Sequence, residues 1–358
     1  MALSLVLTDD WELRGDGSGD IRRIQFDRMR RLNKIYEDHG LRASYNAEIM
    51  QQLHHRRLGE RHPELRQLAE EWEAIVLETY ARGHDVQLHV HPQWSQASYE
   101  NGRWSLAGDW AITSYPREEM ASMISQSRCY LESLIRRIDP EYRCISYRAG
   151  AWAIAPNEHV LSVLAEQGIV FDMSICGGIK YDNTVMKLDY TNCEETFLPY
   201  CPHETDARRK GDTDIGIACV PTFTFKPSRL SVLKRDVSLV QGRVRNWLSR
   251  SRGSKAGPRS ADEYEVWREP LKGKGAVSSI RSKLKSRVQP VVEISDLSVL
   301  NFDFMKDMVA SMRRVASKRN VMSTAVIVEN HTKNISNFDD IARFADYVTR
   351  QPDLESSH

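Results

Sequence analysis

The stretch PELRQLAEEWEAIVLETYARGHDVQLHVHPQW, residues 63–94, decides the fold. Pro63 suits the first turn of a helix. Leu65, Leu68, Trp72, Ile75, Val76 and Tyr80 then recur at three- and four-residue spacing, the period of one buried helical face. Gly83 closes that helix, and DVQLHVH reads as a buried strand. A helix running through one glycine into a short apolar strand is half of a βαβ unit. The strand also carries an oddity. His84, His89 and His91 fall within eight residues, and buried strands rarely hold two histidines on one face.

The same alternation runs along the chain. LSLVLT (3–8), LRASYNA (41–47), CISYRA (144–149), IVFDMS (169–174), GIACVPT (216–222), PVVEIS (290–295) and TAVIVENH (324–331) have strand character. Helical periodicity is expected over 21–39, 116–138, 156–167, 301–319 and 337–349. Strands that alternate with helices predict parallel pairing. At least seven such strands predict an α/β fold, a distorted (β/α) barrel spanning 1–350 as one domain, with a flexible tail at 351–358. Residues 226–290 interrupt the pattern. They hold 17 Lys and Arg against 5 Asp and Glu, a net of +12 that leaves −11 for the rest. Leu230, Leu233, Val237, Val240, Val244 and Trp247 share one helical face there, so the insertion is expected to be basic and partly helical.

The chain has 358 residues, 41% hydrophobic and 28% charged, with a formal charge of +1. Such a balance is that of a globular protein and points to no partner by itself. The six cysteines form no CxxC pair, which fits reduced thiols. ALSLVLTDDW turns charged at Asp9, too early for a signal peptide, and no apolar run approaches the ~20 residues of a membrane span. A cytoplasmic location is expected, with peripheral membrane contact left open.

Titratable residues close five apolar runs at the same end: Asp9 and Asp10, then His89 and His91, Arg148, Asp172 and His331. In parallel barrels the C-terminal ends of the strands carry the active site. Adjacent carboxylates on a strand point to opposite faces unless the strand has already ended. One of the pair could hold a cation while the other acts as a base; a turn aspartate before Trp11 is the competing reading. His89 and His91, two apart, share a face. With a neighbouring carboxylate they make a three-ligand set of the kind that leaves a divalent ion open to water. His84, after the glycine, reads as structural. Arg148 needs a carboxylate partner, for which Asp9 is the first candidate, and Asp172 could complete that network. His331 is either a general acid or a surface histidine opening a loop.

The segments LTDDW, GHDVQLHVHPQW, SYRAG, FDMS and ENHT resemble, in order, the five motifs of the polysaccharide deacetylases, the NodB-homology or carbohydrate esterase family 4 superfamily. The resemblance spans Ser4 to about His331, apart from the basic insertion. It implies a distorted barrel that hydrolyses acetyl groups on sugars with a divalent metal, expected to be zinc. It implies Asp9 as the general base, Asp10 as a metal ligand, His89 as the first metal histidine, Arg148 as the group that orients Asp9, Asp172 as support and His331 as the acid. The family motif places its second histidine four residues after the first, where this chain has Gln93. His91 is therefore assigned as the second ligand. Trp94 and Trp152 follow two of the motifs and either line the sugar site or pack in the core. Tyr200, in FLPYCPHETD (197–206), is placed with them as a substrate contact.

The expected function is removal of an acetyl group from an N-acetylated sugar. A non-sugar amide hydrolase with the same site is one alternative; a non-catalytic protein that binds carbohydrate or anionic ligands through the insertion is another. The basic insertion could rest on an anionic membrane or a lipid-linked substrate, or simply cover the domain with its charges solvated. It has few aromatics and no nucleic-acid motif, so no nucleic-acid partner is expected.

Overall fold

The computed structural model describes residues 2–183, 186–232 and 291–357. The apolar runs form eight parallel strands: β1 (Ala2–Trp11), β2 (Ser44–Glu48), β3 (Asp85–Val90), β4 (Ser146–Ala149), β5 (Phe171–Asp172), β6 (Ala218–Cys219), β7 (Ser323–Val328) and β8 (Leu354–Ser357). Seven of them lie in the order β6-β5-β4-β3-β2-β1-β7. A single parallel bridge from Thr222, beyond β6, to Ile327 in β7 links the two ends of this sheet. The result is the distorted α/β barrel that the alternation predicts.

β1 is long because it serves three neighbours. Its first residues pair with β7 on one side and β8 on the other, and Thr8–Trp11 pair with β2. Leu354–Ser357 therefore belong to the barrel, which corrects the flexible tail expected there; burial of Leu354 holds them in place. PVVEIS is corrected in the opposite sense. Only Glu293–Ile294 are extended, in an antiparallel pair with Thr224–Phe225 outside the main sheet. The amphipathic helix expected within 226–290 lies, from residue 233 onward, outside the described residues.

The helices that cover the sheet are α1 (Asp27–Asp38), α2 (Ile49–Leu58), α3 (Pro63–Ala81), α4 (Arg117–Ile135), α5 (Val160–Glu166), α6 (Phe302–Lys318) and α7 (Phe338–Thr349). In α3 the predicted stripe is real. Leu65, Ala69, Trp72, Ile75 and Val76 are buried, and Trp72 stacks on Trp11 of β1 with ring centroids 5.1 Å apart. Gly83 takes a φ of +87°, which a side chain rarely tolerates, and turns the chain from α3 into β3. α2 was not foreseen; it starts where Glu48 caps the amide of Gln51 at 3.1 Å. No helix among the described residues is long and apolar enough to cross a membrane.

Candidate active site

Register puts the polar residues of neighbouring strands side by side. Asp10 lies opposite Asn46, Glu48 opposite His89, and His89 opposite Arg148. Partners in register share a face, so these side chains line one surface of the sheet. Arg148 crosses the barrel lumen. It is fully buried and donates to Asp10 Oδ1 at 2.7 Å, Thr8 Oγ1 at 2.9 Å, Thr222 Oγ1 at 3.4 Å and the Met173 carbonyl at 3.2 Å. Asn46 adds a second hydrogen bond to Asp10 Oδ1 at 2.9 Å.

The β1 carboxylates do not work as an adjacent pair. Asp9 faces away from the lumen, and Asn330 and Thr332 donate to its two oxygens. It lines no part of the cleft described below, and burial pushes its pKa up to about 7. The expectations that Asp9 is the base and that Arg148 orients it are therefore corrected: Arg148 holds Asp10. The physical reason is the strand itself. β1 stays extended through Trp11, so neighbours along it diverge while residues two apart converge. The residue that joins Asp10 on the lumen side is Glu12.

Three such pairs meet. From β1 come Asp10 and Glu12, from β3 His89 and His91, and from the end of β7 Glu329 and His331. Glu12 Oε2 lies 2.5 Å from His91 Nε2 and 3.8 Å from His89 Nε2. His331 Nε2 lies 3.5 Å from Glu329 Oε1, 3.7 Å from Asp10 Oδ2 and 3.9 Å from Glu12 Oε1. Glu12, His89 and His91 bring one ligand atom each within 4.8 Å of one another, and so do Asp10, Glu329 and His331.

Two observations test whether the first set fits a divalent ion. His89 Nδ1 lies 2.8 Å from the Arg148 carbonyl, which can only accept, so Nδ1 is protonated and Nε2 is the nitrogen that would face an ion. That Nε2 is buried without a hydrogen-bond partner. His91 Nε2 touches Glu12 yet is not aligned for a hydrogen bond with it. Two imidazoles and a carboxylate aimed at one point in this way are a donor set suited to zinc. Gln93, at the place where the resemblance calls for a histidine, is not a ligand but lies with its amide 2.8 Å from His91 Nδ1.

Electrostatics divide the roles. Burial opposes ionisation of Asp10, yet Arg148, His89 and His331 outweigh it and hold the carboxylate below its usual range. Burial also works against Glu12, and His91 and Lys333 more than offset it; Lys333 Nζ is 2.6 Å from Glu12 Oε1. Burial alone would lower the pKa of His331, but Asp296, 2.9 Å from its Nδ1, leads the carboxylates that raise it to about 10. Glu329 is pushed up to about 8 by burial, against the opposing pull of Arg148 and His331.

These residues open into a cleft of about 420 Å³. Asp10, Glu12, His91, Asp296, His331 and Lys333 form its polar end, and Trp110, Trp152 and Tyr181 its aromatic walls. The Trp152 and Tyr181 rings stack nearly parallel, 9° apart with centroids at 6.3 Å. Ala151 and Trp152 both take φ of +55°, a strained backbone for non-glycine residues, and Trp152 Nε1 donates to Glu329 Oε1 at 3.1 Å.

Trp152 thus stands where a substrate contact was expected. Trp94 and Tyr200 do not. Trp94 is buried against Trp104, His54 and His55. The Tyr200 hydroxyl donates to the Ala207 carbonyl, and the residue stays outside the cleft. Asp172 and Arg148 act on each other through their charges, as the supporting role expects, without a direct hydrogen bond. Asp172 lies in register with Tyr147 rather than Arg148, accepts from Ser174 Oγ at 2.6 Å, and is pushed up to about 6 by burial. Glu12, Glu329 and Asp296 went unrecognised in the sequence. The first two carried a signal, a carboxylate two residues from a recognised site residue on the same strand line. His84 is structural, as expected: Nδ1 accepts from the Ala43 amide at 3.1 Å and Nε2 meets Glu37.

Gly150 keeps His91 in place. A Cβ there would lie 2.8 Å from the Val90 carbonyl oxygen and 2.9 Å from His91 Nδ1. Gly150→Ala is expected to displace the imidazole and destabilise the fold by about 1–3 kcal/mol, read from the urea unfolding midpoint. An unchanged midpoint together with wild-type zinc affinity would show that the site yields easily.

No family model matches the chain, and no curated protein matches it. Solved structures do. The chain is similar to a protein from Mycobacterium smegmatis assigned as a polysaccharide deacetylase, at 11% identity over 99% of this chain and 86% of that one, with a TM-score of 0.45. It is similar to Puue allantoinase at 12% identity, covering 100% of this chain and 87% of the other, with a TM-score of 0.46. A 4-alpha-glucanotransferase from Thermococcus litoralis matches at 9% identity over 99% of this chain but 39% of its own, with a TM-score of 0.48. The functional reading rests on the residues of the cleft.

Proposed function

We propose that this chain is a metal-dependent hydrolase that removes an acetyl group from an N-acetylated sugar. The observation that carries the reading is the buried, unpartnered Nε2 of His89, set with His91 and Glu12 beside an Arg-held aspartate and a carboxylate-paired histidine. Glu12, His89 and His91 hold the ion. A divalent ion in that place, zinc being the expected one, supplies a Lewis acid and lowers the pKa of water.

The remaining steps belong to side chains. Asp10, fixed by Arg148 and Asn46 and ionised, stands as the base that takes a proton from the attacking water. His331 is held protonated by Asp296, with Nε2 directed toward Asp10 and Glu12, and gives that proton to the departing nitrogen. An amide needs both functions, because a neutral amine leaves far more readily than its anion. Trp110, Trp152 and Tyr181 offer flat apolar surfaces to a sugar ring.

The test is acetate release from a panel of N-acetylated sugars with zinc, cobalt or nickel added. Wild-type chain should release acetate in an ion-dependent way. Asp10→Asn should keep the ion while kcat falls ~10²–10⁴-fold, the usual contribution of a positioned acid or base. Full activity in Asp10→Asn would remove the base assignment. No release from any sugar would remove the sugar reading.

A further inference from the structure

Two charged groups of the cleft lining, Arg14 and the exposed Asp16, are left outside its buried ion pairs. Its buried carboxylates are matched: Asp10 by Arg148 at 2.7 Å, Glu12 by Lys333 at 2.6 Å, and Asp296 by His331 at 2.9 Å. Arg14 lines the same cleft and is half-buried, yet no carboxylate of the described residues comes within 4.0 Å of it, and it donates no hydrogen bond to them. Asp16, two residues on, accepts from the Ser18 amide at 3.0 Å instead.

The loop RGDGSG (14–19) holds this arginine at the cleft. Gly15 lies under the indole of Trp110, where a Cβ would come within 2.0 Å of the ring. Gly17 and Gly19 take φ of +76° and +108°, so the chain turns back on itself, and an Arg14 guanidinium nitrogen lies 3.8 Å from where a Gly19 Cβ would stand. Arg14 lines the same cleft as Asp10, Glu12 and His331. A planar guanidinium with free N–H groups there matches a phosphate or carboxylate, which it can engage through two parallel hydrogen bonds.

We propose that Arg14 selects an anionic substrate: an N-acetylated sugar that carries a phosphate or a carboxylate. The inference rests on the hydrolase reading above and narrows its substrate class. The aromatic walls take the ring, and Arg14 takes the anion.

The experiment uses the zinc-loaded full-length chain and three probes: methyl N-acetylglucosaminide, N-acetylglucosamine 1-phosphate and N-acetylmuramic acid. The readout is the ratio of kcat/KM for each anionic probe to that for the neutral one. A preference for one anionic probe in the wild type tells phosphate from carboxylate. In Arg14→Ala the ratio should fall roughly 10–100-fold, the range for losing a charged hydrogen bond, and Arg14→Lys should restore part of it. A wild type that shows no anionic preference, or an Arg14→Ala chain with the wild-type ratio, overturns the proposal while leaving the hydrolase reading intact. If no probe releases acetate, the same ratio is taken from calorimetric Kd values. The sugar reading then fails for these probes on its own, and an Arg14→Ala ratio equal to wild type overturns the anion proposal separately.

Discussion

Glu12→Gln is expected to lower the affinity of the chain for zinc by more than the ~10–100-fold typical of losing an outer-shell partner. Glu12 supplies the only carboxylate that approaches both β3 histidines, at 2.5 and 3.8 Å, among the described residues with the more distant Asp10 set aside. Glutamine keeps the shape and removes the charge. The comparison that decides is Asp10→Asn, which should retain the ion because Asp10 spends one oxygen on Arg148 and Asn46 and lies 4.0 Å from His89 Nε2. Equilibrium dialysis with metal analysis measures both. If Asp10→Asn loses the ion and Glu12→Gln keeps it, Asp10 and not Glu12 is the carboxylate ligand, as the motif resemblance implies.

Arg148→Ala is expected to cost about 3–5 kcal/mol of stability, because it leaves a buried charge without its partner. Asp10 and Glu329 are 2% and 0% exposed, and Arg148 makes the closest ion pair with Asp10, at 2.7 Å, while lying 3.7 Å from Glu329. The pH dependence has a definite sign. In the wild type Asp10 titrates below its unfolded value, so its pairing stabilises the fold above that value and the stabilisation is lost as pH falls through the folded one. Without Arg148 the buried carboxylate titrates above the unfolded value and penalises the fold at neutral pH. The gap between wild type and variant should therefore be largest near pH 7 and smaller at pH 4, where the variant's carboxyl is protonated and no longer penalises the fold. Guanidinium denaturation at both pH values measures it. An equal gap at pH 7 and pH 4 would mean that lost packing, not charge, sets the cost.

Much of the fold was legible because its signals are local. Helix α3 shows a 3.6-residue stripe, and the barrel strands are short apolar runs between helices. The short strand β8 was missed: four residues become a strand only because the lower half of β1 leaves an edge for them. PVVEIS was misplaced for the same reason, since its apolar content cannot say which edge will receive it.

By itself, the sequence determined the α/β class, the convergence of titratable residues at one end of the strands, and the same-face pairing of His89 with His91. Tertiary structure alone decided which carboxylates join them. TDDWE offers Asp9, Asp10 and Glu12 in one run, and only the extension of β1 through Trp11 sends Asp9 outward to Asn330 and Thr332 while Asp10 and Glu12 face the lumen. It also decided that Arg148 reaches Asp10, that Asp296 backs His331, and that Trp152 rather than Trp94 walls the cleft. Those contacts join residues more than a hundred positions apart or on separate loops. Such proximity is set by strand register and barrel closure, and no local period in the chain encodes it.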